Sequence, residues 1–69
     1  MAGNVFKTIE LTGTSGKSME DAVTTAIATA AKTVRNMCWF EVVDNRGKIK
    51  DGKVAEWQVT LKIGFRIEN

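Results

Sequence analysis

From Val54 to Ile67 the chain alternates without a break. Ala55, Trp57, Val59, Leu61, Ile63, Phe65 and Ile67 share one parity, and Glu56, Gln58, Thr60, Lys62, Gly64 and Arg66 share the other. A period of two over such a length predicts a β-strand with one buried face, because successive side chains of a pleated strand point to opposite sides of the sheet. The polar parity is not a row of like charges and not an edge blunted with lysine. It mixes glutamine, threonine, glycine and one arginine, a composition suited to a face that meets another subunit or a small molecule.

A chain of 69 residues is one domain at most, and residues 1–69 are read as a single domain. Domains of this size bury only roughly 60% of the surface of their unfolded chains. Ordering costs roughly 1.5 kcal/mol per residue, so a lone core comes out near break-even. Cys38 is the one cysteine, which excludes an internal disulfide, and the absence of histidine excludes most zinc-site patterns. Elimination leaves oligomerisation as the source of extra burial. The net charge of +2 is dispersed among acids, which predicts a solvated surface rather than a nucleic-acid partner. No apolar run approaches the ~18 residues of a membrane span. Met1-Ala2-Gly3-Asn4 has neither the basic start nor the apolar core of a signal, and with the free cysteine this points to the cytoplasm.

Taken in order, Val5 to Thr12 reads as a first strand, and Gly13-Thr14-Ser15-Gly16 as the loop that ends it. The glycines do not make a phosphate-binding loop, since their spacing to Lys17 is wrong. Ser18 is placed to cap a helix, with Glu20 and Asp21 at its positive end and Asp21 as a weak capping-box partner. Met19, Ala22, Val23, Ala26, Ile27, Ala30 and Val34 recur at helical spacing as one apolar stripe. Lys32 and Arg35 suit the far end, near Arg35 or Asn36, where Asn36 can close the helix in the left-handed conformation. Met37 to Arg46 reads as a second strand, with Phe40 and Val42 on one parity and Trp39, Glu41 and Val43 on the other. Gly47 to Lys53, holding the Asp51-Gly52 turn signal, reads as a hairpin connection in which pairing can continue through Ile49. The fold that follows is α+β in the order β-α-β-β, a three-stranded antiparallel sheet with one helix on one face.

One helix cannot cover both faces of that sheet. If Phe40 and Val42 face the helix, Trp39 points away from it, and so does Gln58. Indole offers a flat stacking surface, and an amide that donates and accepts matches the edge of a heterocycle. The alternative is that Trp39 anchors a subunit interface and Gln58 is an ordinary polar residue. Trp57 has the core parity. Arg46 and Arg66 are anion sites or solvated charges. No carboxylate pair, and no base beside Cys38 or a serine, supports acid–base or nucleophilic catalysis; Cys38 reads as a small packing residue.

Several segments together carry a resemblance: Val5-Phe6-Lys7, Glu10 to Ser15, Glu20-Asp21-Ala22, Ala31-Lys32-Thr33, Trp39-Phe40-Glu41-Val42, Arg46-Gly47, Asp51 to Val54, Trp57-Gln58-Val59 and Ile63-Gly64-Phe65-Arg66. In this order and over nearly the whole chain, the series resembles the dodecin family. Gly16-Lys17, where many members carry proline or an acid, and Trp57, where other aromatics occur, are minor departures.

The resemblance implies a β-α-β-β protomer whose sheet wraps around its helix, assembled as a hollow homododecamer. It implies a flavin cofactor, FMN or riboflavin, with paired rings stacked between tryptophans of neighbouring subunits at two-fold axes. On this resemblance Trp39 is the stacking tryptophan and Gln58 the glutamine at the polar ring edge. Arg46 is expected near the flavin, Asp44 near the ribityl chain, and Arg66 at a phosphate or subunit contact. The implied role is non-enzymatic storage of flavin with quenching of its photochemistry. The rival readings are a flavoenzyme using the same pocket and an oligomeric interaction module without a ligand. A second ligand such as a coenzyme A-type anion, and bound ions, stay open.

Overall fold

The structure, a computed structural model, describes residues 3–68; the reading of Met1 and Ala2 lies outside them. The elements are β1 (Phe6–Ser15), α1 (Met19–Ala30), β2 (Met37–Lys50) and β3 (Lys53–Arg66). The strands form one antiparallel sheet in the order β1-β3-β2, so the alternating segment is the central strand. Its apolar parity is buried at Val59, Leu61 and Ile63, against Ala22 and Ala26 of α1. Burying each of those three β3 side chains stabilises the fold by roughly 1.5–3 kcal/mol. The parity is not buried throughout: Trp57, Phe65 and Ile67 are half-buried and Ala55 is exposed.

The first strand runs through the expected loop. Gly13 and Thr14 pair with Val59 and Gln58, and Ser15 with Trp57. Gly13 is buried in the strand because the helix backbone comes down on it; a Cβ there would stand 2.3 Å from the Ala22 carbonyl oxygen. Ser18 caps α1, its Oγ accepting from the Asp21 amide at 3.0 Å. The capping box with Asp21 does not close. The Asp21 carboxylate instead accepts from the Ser15 hydroxyl at 2.7 Å, while Ser15 Oγ accepts from the Lys17 amide at 2.9 Å.

The helix stops at Ala30, earlier than its apolar stripe suggests, and Lys32 and Arg35 lie beyond its last turn. Two β-branched residues, Thr33 and Val34, follow, and the chain reverses at Asn36, whose φ is +63°. Asn36 is left-handed as expected, but it starts the return to β2 rather than ending the helix. At the other end of the stripe, Met19 is exposed.

The second strand is longer than its expected Met37–Arg46 span because the hairpin loop is only two residues. Lys50 pairs with Lys53, and Asp51 and Gly52 both have positive φ, +54° and +73°. This is a type I′ turn, whose twist matches that of the strands it joins. The β2–β3 register slips at three places, between Met37 and Trp39, between Val42 and Asp44, and between Lys48 and Ile49.

A helix of 12 residues is about 18 Å long, whereas a strand of 14 spans about 46 Å. The helix therefore covers only the middle of β1 and β3 and leaves β2 open. Phe40 and Val42 face the helix side, opposite Ile63 and Leu61, yet both stay exposed, as do Ile49 and Val54. The radius of gyration of 14.5 Å exceeds the about 11 Å of a compact chain of this length. The accessible surface of 5178 Å² likewise exceeds the about 4300 Å² expected for its mass.

Candidate functional site

The outward face of the sheet is read from β3. Gly64 lies opposite Thr8 and Trp39, Lys62 opposite Glu10 and Glu41, Thr60 opposite Thr12 and Asp44, and Gln58 opposite Thr14 and Arg46. Residues directly opposite in a ladder share a face. Trp39, Asp44, Arg46, Gln58 and Arg66 thus all stand on the side away from the helix. Asp44 and Arg46 reach it through the slip after Val42. Simple alternation from Trp39 would send them inward, and the extra residue Val43 flips the parity.

At one end of this face lies an aromatic platform. The six-membered ring of Trp39 covers Gly64 so closely that a Cβ at Gly64 would stand 2.2–2.5 Å from three indole carbons. Phe6 of β1 meets the indole edge-on, with ring centroids 5.1 Å apart and planes at 64°. Trp39 nevertheless remains 45% exposed. Arg66 is opposite Phe6, at the same end. The slip at Cys38 precedes the tryptophan; the cysteine is exposed, not packed, and its thiol donates to the Asn36 carbonyl at 3.2 Å. Neither Phe6 nor Gly64 was singled out by sequence reasoning. A glycine inside a long strand, on the parity of a paired tryptophan, was the available signal.

The second group is polar. Arg46 donates to Asp44 Oδ2 from Nε at 3.0 Å and from Nη2 at 2.6 Å. That hydrogen bond, reinforced by the guanidinium charge, holds the Asp44 carboxyl below its ordinary value of 3.8. Gln58 donates through Nε2 to Glu56 at 3.0 Å, and Lys48 approaches the same carboxylate at 3.7 Å. Thr12 and Thr60 share a hydroxyl hydrogen bond of 2.8 Å across the strands.

The two groups do not meet within one chain. Gly64 and Gln58 are six positions apart on β3, which is about 20 Å at strand rise. Glu10, Lys62 and Glu41 fill the row between them. The structure brings Trp39 and Arg66 to one end and Asp44, Arg46 and Gln58 to the other. Among the described residues no three of Cys, Asp and Glu come together to hold a metal ion, and no helix is long and apolar enough to cross a membrane.

The family model for dodecin matches residues 5–68. The chain belongs to the dodecin family. It is 48% identical to the dodecin of Thermus thermophilus over 66 residues, 96% of each chain. The solved Streptomyces coelicolor dodecin superposes with a TM-score of 0.92 at 45% identity, covering 100% of this chain and 99% of that one. The calcium dodecin of Mycobacterium tuberculosis, described with a calcium-binding site, is a more distant match, with a TM-score of 0.79 at 26% identity over 93% of this chain and 91% of that one. Dodecins are small binding proteins, generally of flavins, and the family implies an oligomer.

Proposed function

We propose that this dodecin stores flavin, FMN or riboflavin, by stacking the isoalloxazine ring on Trp39 within a homododecamer, and that it is not an enzyme. The observation that carries the reading is the half-exposed indole lying on Gly64, on a face that the helix does not cover. A glycine floor lets the indole lie low and keep an aromatic surface open, which fits a planar heterocycle. A bound flavin supplies a light-absorbing, redox-active ring; the chain supplies the surfaces that hold it.

In this reading Trp39 binds by area and by stacking. Each Å² of apolar surface withdrawn from water contributes about 25 cal/mol, and a good aromatic pair adds ~0.5–1.5 kcal/mol. An indole in contact with the ring is also an electron donor at the distance where fluorescence is quenched. Gln58 gives the donor and acceptor for the polar ring edge, Arg46 and Asp44 orient the ribityl side, and Arg66 serves a phosphate or a subunit contact. With Gln58 about 20 Å from the Trp39 end along β3, one ring cannot touch both in one protomer. The pocket is therefore composite: Trp39 comes from one subunit and the polar group from another, as an isologous two-fold contact permits. Residues 1–69 act as one dodecin-like domain, in the cytoplasm. The exposed inner faces of Phe40 and Val42 are the surfaces that assembly covers.

The test is to titrate riboflavin and FMN separately into stripped protein, following flavin fluorescence alongside native mass. Quenching near one flavin per chain in a twelve-chain particle is expected, and the tighter ligand identifies the stored flavin. Trp39→Ala should weaken binding tenfold or more with the particle intact; unchanged affinity would overturn the stacking role. Steady-state turnover with reduced nicotinamide and common acceptors should be absent, and sustained rates would favour a flavoenzyme.

A further inference from the structure

We propose that Gly64 and Phe6 are positioning residues, which hold the Trp39 indole flat across the sheet so that it presents one fixed surface to the ligand; this rests on the stacking reading above. The three residues belong to three different strands. Trp39 is on the edge strand β2, Gly64 beneath it on the central strand, and Phe6 on the opposite edge strand β1. The indole starts on one edge, crosses the middle strand and ends against the aromatic ring of the other.

Each support has its own geometry. Gly64 contributes empty space. Its φ is not positive, unlike that of Gly52, so no backbone requirement explains it. A Cβ at this position would lie 2.2, 2.3 and 2.5 Å from Cζ2, Cε2 and Cη2 of Trp39, far inside contact distance. Any other residue must therefore lift or swing the indole. Phe6 contributes a stop. Its ring meets the indole edge-to-face at 5.1 Å, an arrangement that favours a fixed mutual orientation. The slip between Met37 and Trp39 is a third, backbone-level device, since bulges re-aim the side chains beside them. Stacking on a ring that is already held avoids ordering it during binding, and that ordering is a main loss in ligand affinity.

The experiment uses the full chain in its assembled form and reads two signals. In ligand-free protein carrying Trp57→Phe, Trp39 is the sole tryptophan, and its emission anisotropy and acrylamide accessibility report how firmly the indole is held. In the same background, with the wild type alongside, riboflavin titration reports affinity. Gly64→Ala should lower the anisotropy, raise the accessibility and weaken riboflavin binding at least tenfold. Phe6→Leu should act in the same direction by roughly threefold to tenfold, the span of one aromatic pair; Phe6→Tyr should restore both signals.

A double-mutant cycle separates positioning from general structure. In a Trp39→Ala background, Gly64→Ala and Phe6→Leu should produce no further loss of riboflavin binding, because they act only through the indole. Full additive losses in that background, or an indole equally held in Gly64→Ala, would overturn the proposal. If Gly64→Ala does not assemble, the Phe6 pair decides in the same way. Failure of the stacking reading looks different: the ligand-free anisotropy would still respond to Gly64→Ala, while riboflavin affinity would be indifferent to Trp39 itself.

Discussion

At the scale of single residues, the outward face holds two unlike chemistries, an aromatic platform and a hydrogen-bonded charge pair. The pair makes a prediction about pH. Arg46 holds the Asp44 carboxyl below its ordinary value, so folding favours the ionised form. The contribution of such a group is fully present above its unfolded pKa and is lost as the pH falls through the lower, folded one. Asp44 and Arg46 are exposed enough for solvent to screen them, so global stability should hardly register the pair. The Arg46 Nε–H resonance is the direct probe: it should be constant near neutral pH and shift in acid with a midpoint below 3.8. A transition centred above that value would show that the pair does not persist in solution. Asp44→Asn should abolish the transition.

At the scale of elements, two short devices set how the strands and helix are joined. The Ser18 cap satisfies one of the free amides of α1, and Ser18→Ala should destabilise the fold by about 1 kcal/mol, read from a denaturant midpoint at unchanged slope. The Asp51-Gly52 turn fixes the register of the long hairpin. A Cβ at Gly52 meets nothing within 4 Å, so Gly52→Ala tests backbone conformation alone. It should destabilise by about 1 kcal/mol because φ is positive there. Gly13→Val differs in kind. Its side chain meets the Ala22 carbonyl and the Ala26 side chain, so the helix must lift from β1, and the loss should exceed either of the others.

At the scale of the whole molecule, the chain is incomplete as a lone folded unit. The sheet outruns its helix, and apolar residues of β2 and the hairpin stay uncovered, with Ile49 78% exposed. A surface of this kind marks an interaction site, which agrees with the oligomer implied by the family. Val42→Lys tests this at little expense to the protomer, because Val42 is already half-exposed and a lysine stem can lie along apolar surface. We expect the native mass measured by sedimentation to fall while far-ultraviolet circular dichroism is kept. An unchanged mass would mean that assembly leaves this face in solvent.

The order β-α-β-β, the buried parity of β3, the Ser18 cap and the Asp-Gly turn were all legible in the sequence, since each depends on local chemistry or on a short period. So was the placing of Trp39 and Gln58 away from the helix, which needs only alternation along two strands. The rest was decided by contacts distant in the chain. Gly13 looks like a loop residue until a helix backbone descends on it. Asp44 and Arg46 have the wrong parity for the outward face until one extra residue at Val43 shifts the register. Gly64 shows only as a glycine inside a long strand, and Phe6 carries no sign of partnership with Trp39 until three strands lie side by side. Alternation fixes which face a side chain takes. Only the tertiary register determines which residues share a row and how far apart the rows stand, because that depends on pairings between segments the chain places up to sixty positions apart.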